Sequence, residues 1–290
     1  MLVRPHEYMA QAFNMQYAIG AFNTSNLELT QAIIGAATAA ASPVIVQTSE
    51  GAIAYASLPV ITAIIKTLAN ATTAPVIMHL DHGKDVKLVK QCIDAGYTSV
   101  MIDASTKPLP ENIRITQEVV AYAHDRGVWV EAELGAILGT EGALKLGGAK
   151  TPDDMFTHPR DVAQFVAATK VDALAVSVGT IHGAFTGQEY IRFELLAEIE
   201  RVVPQLPLVV HGASGIADDH LQQVATSNVC KINVDTELRI AFDAAVKAYY
   251  QQSHDKIDTR EILGPARDAV QAVVVAKMGL FGSTGRAKVQ

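Results

Sequence analysis

Three histidines in this chain stand where a short apolar run gives way to glycine: His82 after VIMHLD (76–81), His182 after ALAVSVGTI (173–181) and His211 after LVV (208–210). Apolar runs of this length read as buried strands, so a separate strand end delivers each imidazole. One such histidine is ordinarily a hydrogen-bonding group and nothing more. Three repeats of the pattern point to a shared metal, because neutral imidazoles with an open fourth position make a zinc site that acts as a Lewis acid on a bound oxygen. Asp81, beside His82, is placed to move a proton while the metal holds a neighbouring oxygen. Asp103 and Glu133, also at strand ends, read more simply as carboxylates that orient a ligating imidazole. His79 lies inside its run and reads as a core hydrogen-bonder, while His6, His124, His158, His220 and His254 fall on helices or loops.

The elements that must position these groups alternate along the whole chain. Runs rich in Val, Ile and Ala recur at 18–22, 44–48, 76–80, 98–102, 128–132, 173–178, 208–211 and 229–234, with helix-length amphipathic segments between them. Strands apolar on both faces and joined by helices are parallel and covered on both sides. Eight such units predict a closed (β/α)8 barrel. The rival, a doubly wound open sheet, lacks its Gly-rich fingerprint, since AIGAFNTSN follows the first strand. No linker divides residues 1–290, and a single barrel domain is expected, with a short amphipathic helix before it and a closing helix over 258–278. The terminal GSTGRAKVQ reads as a mobile tail.

Barrel active sites are built where the strands end. The strand ends here deliver Asn23, Ser49 and Glu50, Asp81 and His82, Asp103, Glu133, His182, His211 and Ser214, then Asn233 and Asp235. The glycine-bearing segment of about 135–158 is too long for an ordinary connection and reads as an active-site lid. Gly212-Ala213-Ser214 ahead of a helix near Asp218, and Asn233-Val234-Asp235-Thr236 running into the next helix, set backbone amides at helix starts, where phosphate binds. Arg239, one turn into that helix, could meet a second anionic group.

Composition narrows the partners. A net charge of −7 without clustered Lys and Arg argues against nucleic acid. Cys92 and Cys230 have no CxxC spacing, so neither a disulfide framework nor a thiolate zinc site is indicated. No signal peptide or membrane span is read from the sequence, and a reducing cytoplasm fits best.

The motifs HLDHG (79–83), EAELG (131–135), GTIHGAF (179–185), HGASG (211–215) and NVDT (233–236), in that order on the expected strands, resemble the class II, metal-dependent fructose-bisphosphate aldolases. The likeness runs from GAFN (20–23) to the GSTGRA near the C-terminus. It implies reversible cleavage of fructose 1,6-bisphosphate to dihydroxyacetone phosphate and glyceraldehyde 3-phosphate through a zinc-stabilised enediolate. In that reading His82, His182 and His211 are ligands, Asp81 handles the C4 hydroxyl proton, and Asp103 and Glu133 match positions that hold a second or displaced ion. Gly183, Gly212 to Ser214 and Asn233 to Thr236 hold the dihydroxyacetone phosphate end. Glu141, in ELGxxxGxE, exchanges a proton with the enediolate carbon, and Arg239 and Arg260 meet the distal phosphate, Arg260 from a neighbouring subunit. Relatives of this kind are homodimers or homotetramers, and a monovalent cation can assist them.

Asp235 favours fructose over tagatose bisphosphate, for which Ala tends to stand there, whereas Thr186 replaces a phosphate-holding Lys of many relatives. The rivals are a tagatose 1,6-bisphosphate aldolase, a Schiff-base enzyme using Lys231, and a phosphosugar-binding protein without turnover.

Overall fold

The computed structural model describes residues 1–135, 156–180, 191–252 and 257–288, with the backbone alone of 138–139 and 181–182. Eight parallel strands close into a barrel: β1 (Ile19–Asn23), β2 (Val44–Ser49), β3 (Val76–Gly83), β4 (Ser99–Ile102), β5 (Trp129–Leu134), β7 (Ala173–Val176), β9 (Leu208–Val210) and β10 (Val229–Val234). Two short strands, β6 (Leu138–Gly139) and β8 (Ile181–His182), pair with each other at the barrel's rim instead of joining it. The (β/α)8 architecture expected from the alternation is the one observed.

The helices of the shell are α2 (Leu27–Ala39), α3 (Glu50–Ala56), α4 (Leu58–Asn70), α5 (Val86–Asp94), α6 (Leu109–His124), α7 (Pro159–Thr169), α8 (Phe193–Val202), α9 (Asp218–Ala225) and α10 (Thr236–Gln252). Several start on polar residues that satisfy their first amides: Asn26 accepts from Leu29 N, Ser49 from Ala52 N and Asp85 from Lys87 N. Two helices, α3 and α4, fill the connection between β2 and β3, because Ser57 takes a left-handed φ of 65° and breaks the run between them. Among the described residues no single helix is long and apolar enough to cross a membrane; α3 and α4 pass such a test only jointly, and they are bent by 97°.

The amphipathic N-terminal segment forms α1 (His6–Met15), whose Tyr8, Met9 and Ala12 plug the bottom of the barrel against Ile19, Ile77 and Trp129. Burying a side chain such as Met9 contributes about 1.5–3 kcal/mol. At the other terminus α11 (Thr259–Leu280) packs on α2 and α10. The tail beyond it, expected to be mobile, is tied down through residue 287: Gly285 N and Ala287 N donate to Ala40 O and Ala41 O at 2.9 Å each, and Ser42 Oγ donates to Ser283 Oγ.

One irregularity governs the site. Between β3 and β4 the register runs Leu80↔Val100 and then Gly83↔Ile102, so Asp81 and His82 together face the single residue Met101. A regular strand sends neighbouring side chains to opposite faces. The bulge, with His82 at φ 48°, instead turns both toward the barrel mouth and leaves Gly83 against the helical shell. A Cβ on Gly83 would lie 2.7 Å from Met101 O and 2.7 Å from Val89 Cγ2. Gly83→Ala is therefore expected to destabilise the fold by about 2 kcal/mol and to lower Tm by several degrees, with a matching loss of metal affinity. An unchanged melting curve would show that the backbone yields there.

Candidate metal centre and active site

Closure of the barrel brings the expected strand-end residues together. His82 Nε2 lies 2.9 Å from His211 Nδ1, and Asp81 Oδ1 lies 4.0 Å from His82 Nε2. Asp81, His82 and His211 each offer one ligand atom within 4.8 Å of the others, and all three are buried. Behind each ring stands a carboxylate: His82 Nδ1 is 3.1 Å from Asp103 Oδ2, and His211 Nε2 is 2.7 Å from Glu131 Oε1. Such pairing fixes the tautomer that leaves the opposite nitrogen free for a metal. Asp81 is clamped in turn, since Asn23 and Gln47 donate to Oδ2 and Asn233 donates to Oδ1.

The charges explain why these groups titrate as they do. Asp81, Asp103, Glu131 and Glu133 are all buried, and Lys231, itself buried, pairs with Glu131. Burial alone would lower the pKa of His82, but Asp81, Asp103 and Glu133 outweigh it and push it up to about 10. For Asp81, burial acts upward, while the neighbouring His82, His211 and Lys231 and the Asn23 bond bring it down to about 2. Asp103 is likewise driven low against its burial by the His82 and Ser105 contacts. Glu133, 3.8 Å from His82 Nδ1, is raised to about 8, by burial first and then by the charge of Asp103. Burial and Lys231 keep His79 well below its ordinary value, so it is a neutral core hydrogen-bonder on Ser99 Oγ, as its place in the run suggests. An excess of buried negative charge focused on two imidazoles fits a divalent cation. A second set, His82, Asp103 and Glu133, is also close enough to share an ion.

The family profile described as "Fructose-bisphosphate aldolase class-II" matches residues 3–286. The chain belongs to this family. Class II aldolases are metal-dependent lyases, in keeping with the donor set above. The chain is 42% identical over 291 residues to the fructose-bisphosphate aldolase of Geobacillus stearothermophilus, with 99% of each covered, and 40% identical over 310 residues to that of Thermus caldophilus, covering 99% of this chain and 100% of the relative. The crystal structure of the YdjI aldolase from Escherichia coli K12 superposes with a TM-score of 0.87 at 34% identity, over 99% of this chain and 100% of that one.

Beside the class II donor cluster opens a cavity of about 620 Å³, lined by Asn23, Ser49, His82, Lys84, Asp235 and Arg239 among others. It is large enough for a small phosphorylated sugar. Arg239 does not stand alone there: its guanidinium grips Asp235 at 2.6 Å and 2.9 Å. The Gly212-Ala213-Ser214 turn and the start of α10 meet, since Glu237 N donates to Ser214 Oγ, and Gly212 takes a φ of 67° that glycine supplies without strain. Val234 is buried in β10, and Thr236 opens α10 as expected. Arg260 pairs with Asp258 at the start of α11 and does not line this cavity. His182 is placed only as backbone in β8, and its side chain lies outside the described residues, as do Glu141, Gly183, Thr186 and most of the 135–158 segment.

Several working residues escaped the sequence reading. Gln47 sits two positions before Ser49 on the same face of β2, a polar group inside an apolar run, and that was the available signal. Glu131 was visible as a strand-five acid, but its bond to His211 depends on closure. Lys84, one residue past Gly83, carried no signal beyond its place after the motif.

With its pKa near 10 in the metal-free protein, His82 holds both ring protons at neutral pH, and a metal must displace one. Divalent-metal binding there is expected to release about one proton per site and to weaken as pH falls. Calorimetry in buffers of differing ionisation heat measures this; a buffer-independent heat would mean that His82 starts out neutral.

Proposed function

We propose that this class II aldolase reversibly cleaves fructose 1,6-bisphosphate into dihydroxyacetone phosphate and glyceraldehyde 3-phosphate, using zinc held by His82, His211 and His182. The observation that carries the reading is Asp81, a clamped and ionised carboxylate beside the paired imidazoles at the mouth of the barrel. When bound, the metal supplies positive charge to the ketone end of the sugar, where negative charge develops.

The remaining work belongs to the chain. Asp81 accepts the C4 hydroxyl proton as the C3–C4 bond breaks, C4 leaves as an aldehyde, and the bonding pair stays with the C3 fragment. Asn23, Gln47 and Asn233 keep that carboxylate from rotating away, which holds the proton transfer in line. Glu141 then returns a proton to C3 from the lid segment. The turn at Gly212, Ala213 and Ser214, with Gly183 and Asn233 to Thr236, cradles one phosphate; Ser49 and Arg239 border the other end of the cavity, with Arg260 reaching it from a neighbouring subunit. Asp103 and Glu133 orient His82 and receive the ion if it shifts. A single-domain homodimer or homotetramer in the cytoplasm, assisted by a monovalent cation, completes this reading.

Asp235 supports fructose over tagatose bisphosphate, because Arg239 holds its carboxylate rigidly beside the cavity, where it can sort hydroxyl configurations. The ratio of kcat/KM for the two sugars should favour fructose; a ratio favouring tagatose reverses the assignment.

Asp81→Ala is expected to lower turnover by about 10²–10⁴-fold with zinc content unchanged. Near-normal turnover of that variant would falsify the proton-transfer role. EDTA should abolish cleavage, and borohydride with substrate should trap no covalent adduct.

A further inference from the structure

Strand β10 carries a lysine that the barrel seals off. Lys231 and Glu131 are both fully buried, with Nζ 2.8 Å from Oε2 in an ion pair whose angles are not those of a hydrogen bond, and among the described residues the ammonium pairs with no other acid. The other oxygen of the same carboxylate, Oε1, accepts from His211 Nε2 at 2.7 Å. His211 Nδ1 then lies 2.9 Å from His82 Nε2. A continuous line thus runs from the barrel interior to the metal-binding position, Lys231 to Glu131 to His211.

A fully buried ion pair is a poor source of stability. Desolvation costs several kcal/mol per ion, and apolar side chains of the same volume often do as well or better. What the pair does supply is a fixed positive charge in contact with one carboxylate oxygen, 2.8 Å away. A carboxylate anchored at one oxygen presents the other along a fixed line, and the ring bonded to it cannot flip or exchange its tautomer.

We propose that Lys231 is a positioning residue of the metal centre: by anchoring Glu131 Oε2 it aims Oε1 at His211, holding the ring proton on Nε2 and turning the Nδ1 lone pair toward the metal. The inference rests on the reading that His82 and His211 hold that ion. It also gives Lys231 a role that excludes Schiff-base chemistry, since the amine is enclosed and committed to Glu131.

The test compares zinc affinity, by competition with a chelating dye, in wild type, Lys231→Met and the charge-neutral Lys231→Met/Glu131→Gln pair. Ring nitrogen spectra of ¹⁵N-histidine-labelled protein follow the tautomer of His211. Lys231→Met should bind zinc roughly 10–100-fold more weakly and show a mixed tautomer. The double variant, free of that buried ion pair, should recover the wild-type Tm without recovering the affinity, and it carries the test if the single variant fails to fold. Wild-type affinity in either variant overturns the proposal, because the lysine would then only balance a buried charge. A wild-type protein that takes up no zinc defeats the metal reading itself, and this inference with it.

Discussion

The site depends on a fault in one ladder. Strand geometry forbids neighbours from facing the same way, yet Asp81 and His82 stand side by side at the barrel mouth, as the proposed chemistry requires. The extra residue between β3 and β4 resolves the conflict by turning His82 through a left-handed φ of 48°. Its consequences spread outward. Gly83 must be small because the bulge presses it onto Met101 O and Val89, and His82 reaches Asp103 on the next strand only from this position.

Around that fault the barrel gathers charge that the hydrophobic effect would exclude. Four buried carboxylates stand against the imidazoles, one of them also paired with a buried lysine. No stability argument recommends such an interior. It makes sense as a field: the excess of negative charge favours the protonated His82 and any cation that takes its place, and the neighbouring positive groups that lower Asp81 keep it ionised. The apolar work of folding is done elsewhere, by the helix-facing sides of the strands and by the α1 plug at the bottom.

Much of this was legible before any coordinates. The repeated passage from apolar run to His-Gly pointed to His82 and His211, and the alternation of runs pointed to eight parallel strands. Asn23, Asp81 and Asn233, named from separate strand ends, form one hydrogen-bonded unit. Other features were invisible for a physical reason. Lys231 stood in the sequence only as the reactive amine of a rival mechanism, because nothing in its neighbourhood along the chain reveals the glutamate paired with it. The tail after α11 read as loose because its partners, Ala40 and Ala41, lie near the opposite end of the chain.

Local pattern determined which elements form and which residues stand at their ends, since hydrophobic periodicity and glycine-terminated runs act over a few residues. Closure of the barrel alone decided which atom faces which. The bonds that make the site join positions 58, 129 and 152 residues apart, Asn23 to Asp81, His82 to His211 and Asp81 to Asn233. A sequence read along its length holds no measure of those separations in space. They exist only once eight staggered strands have met around a common axis.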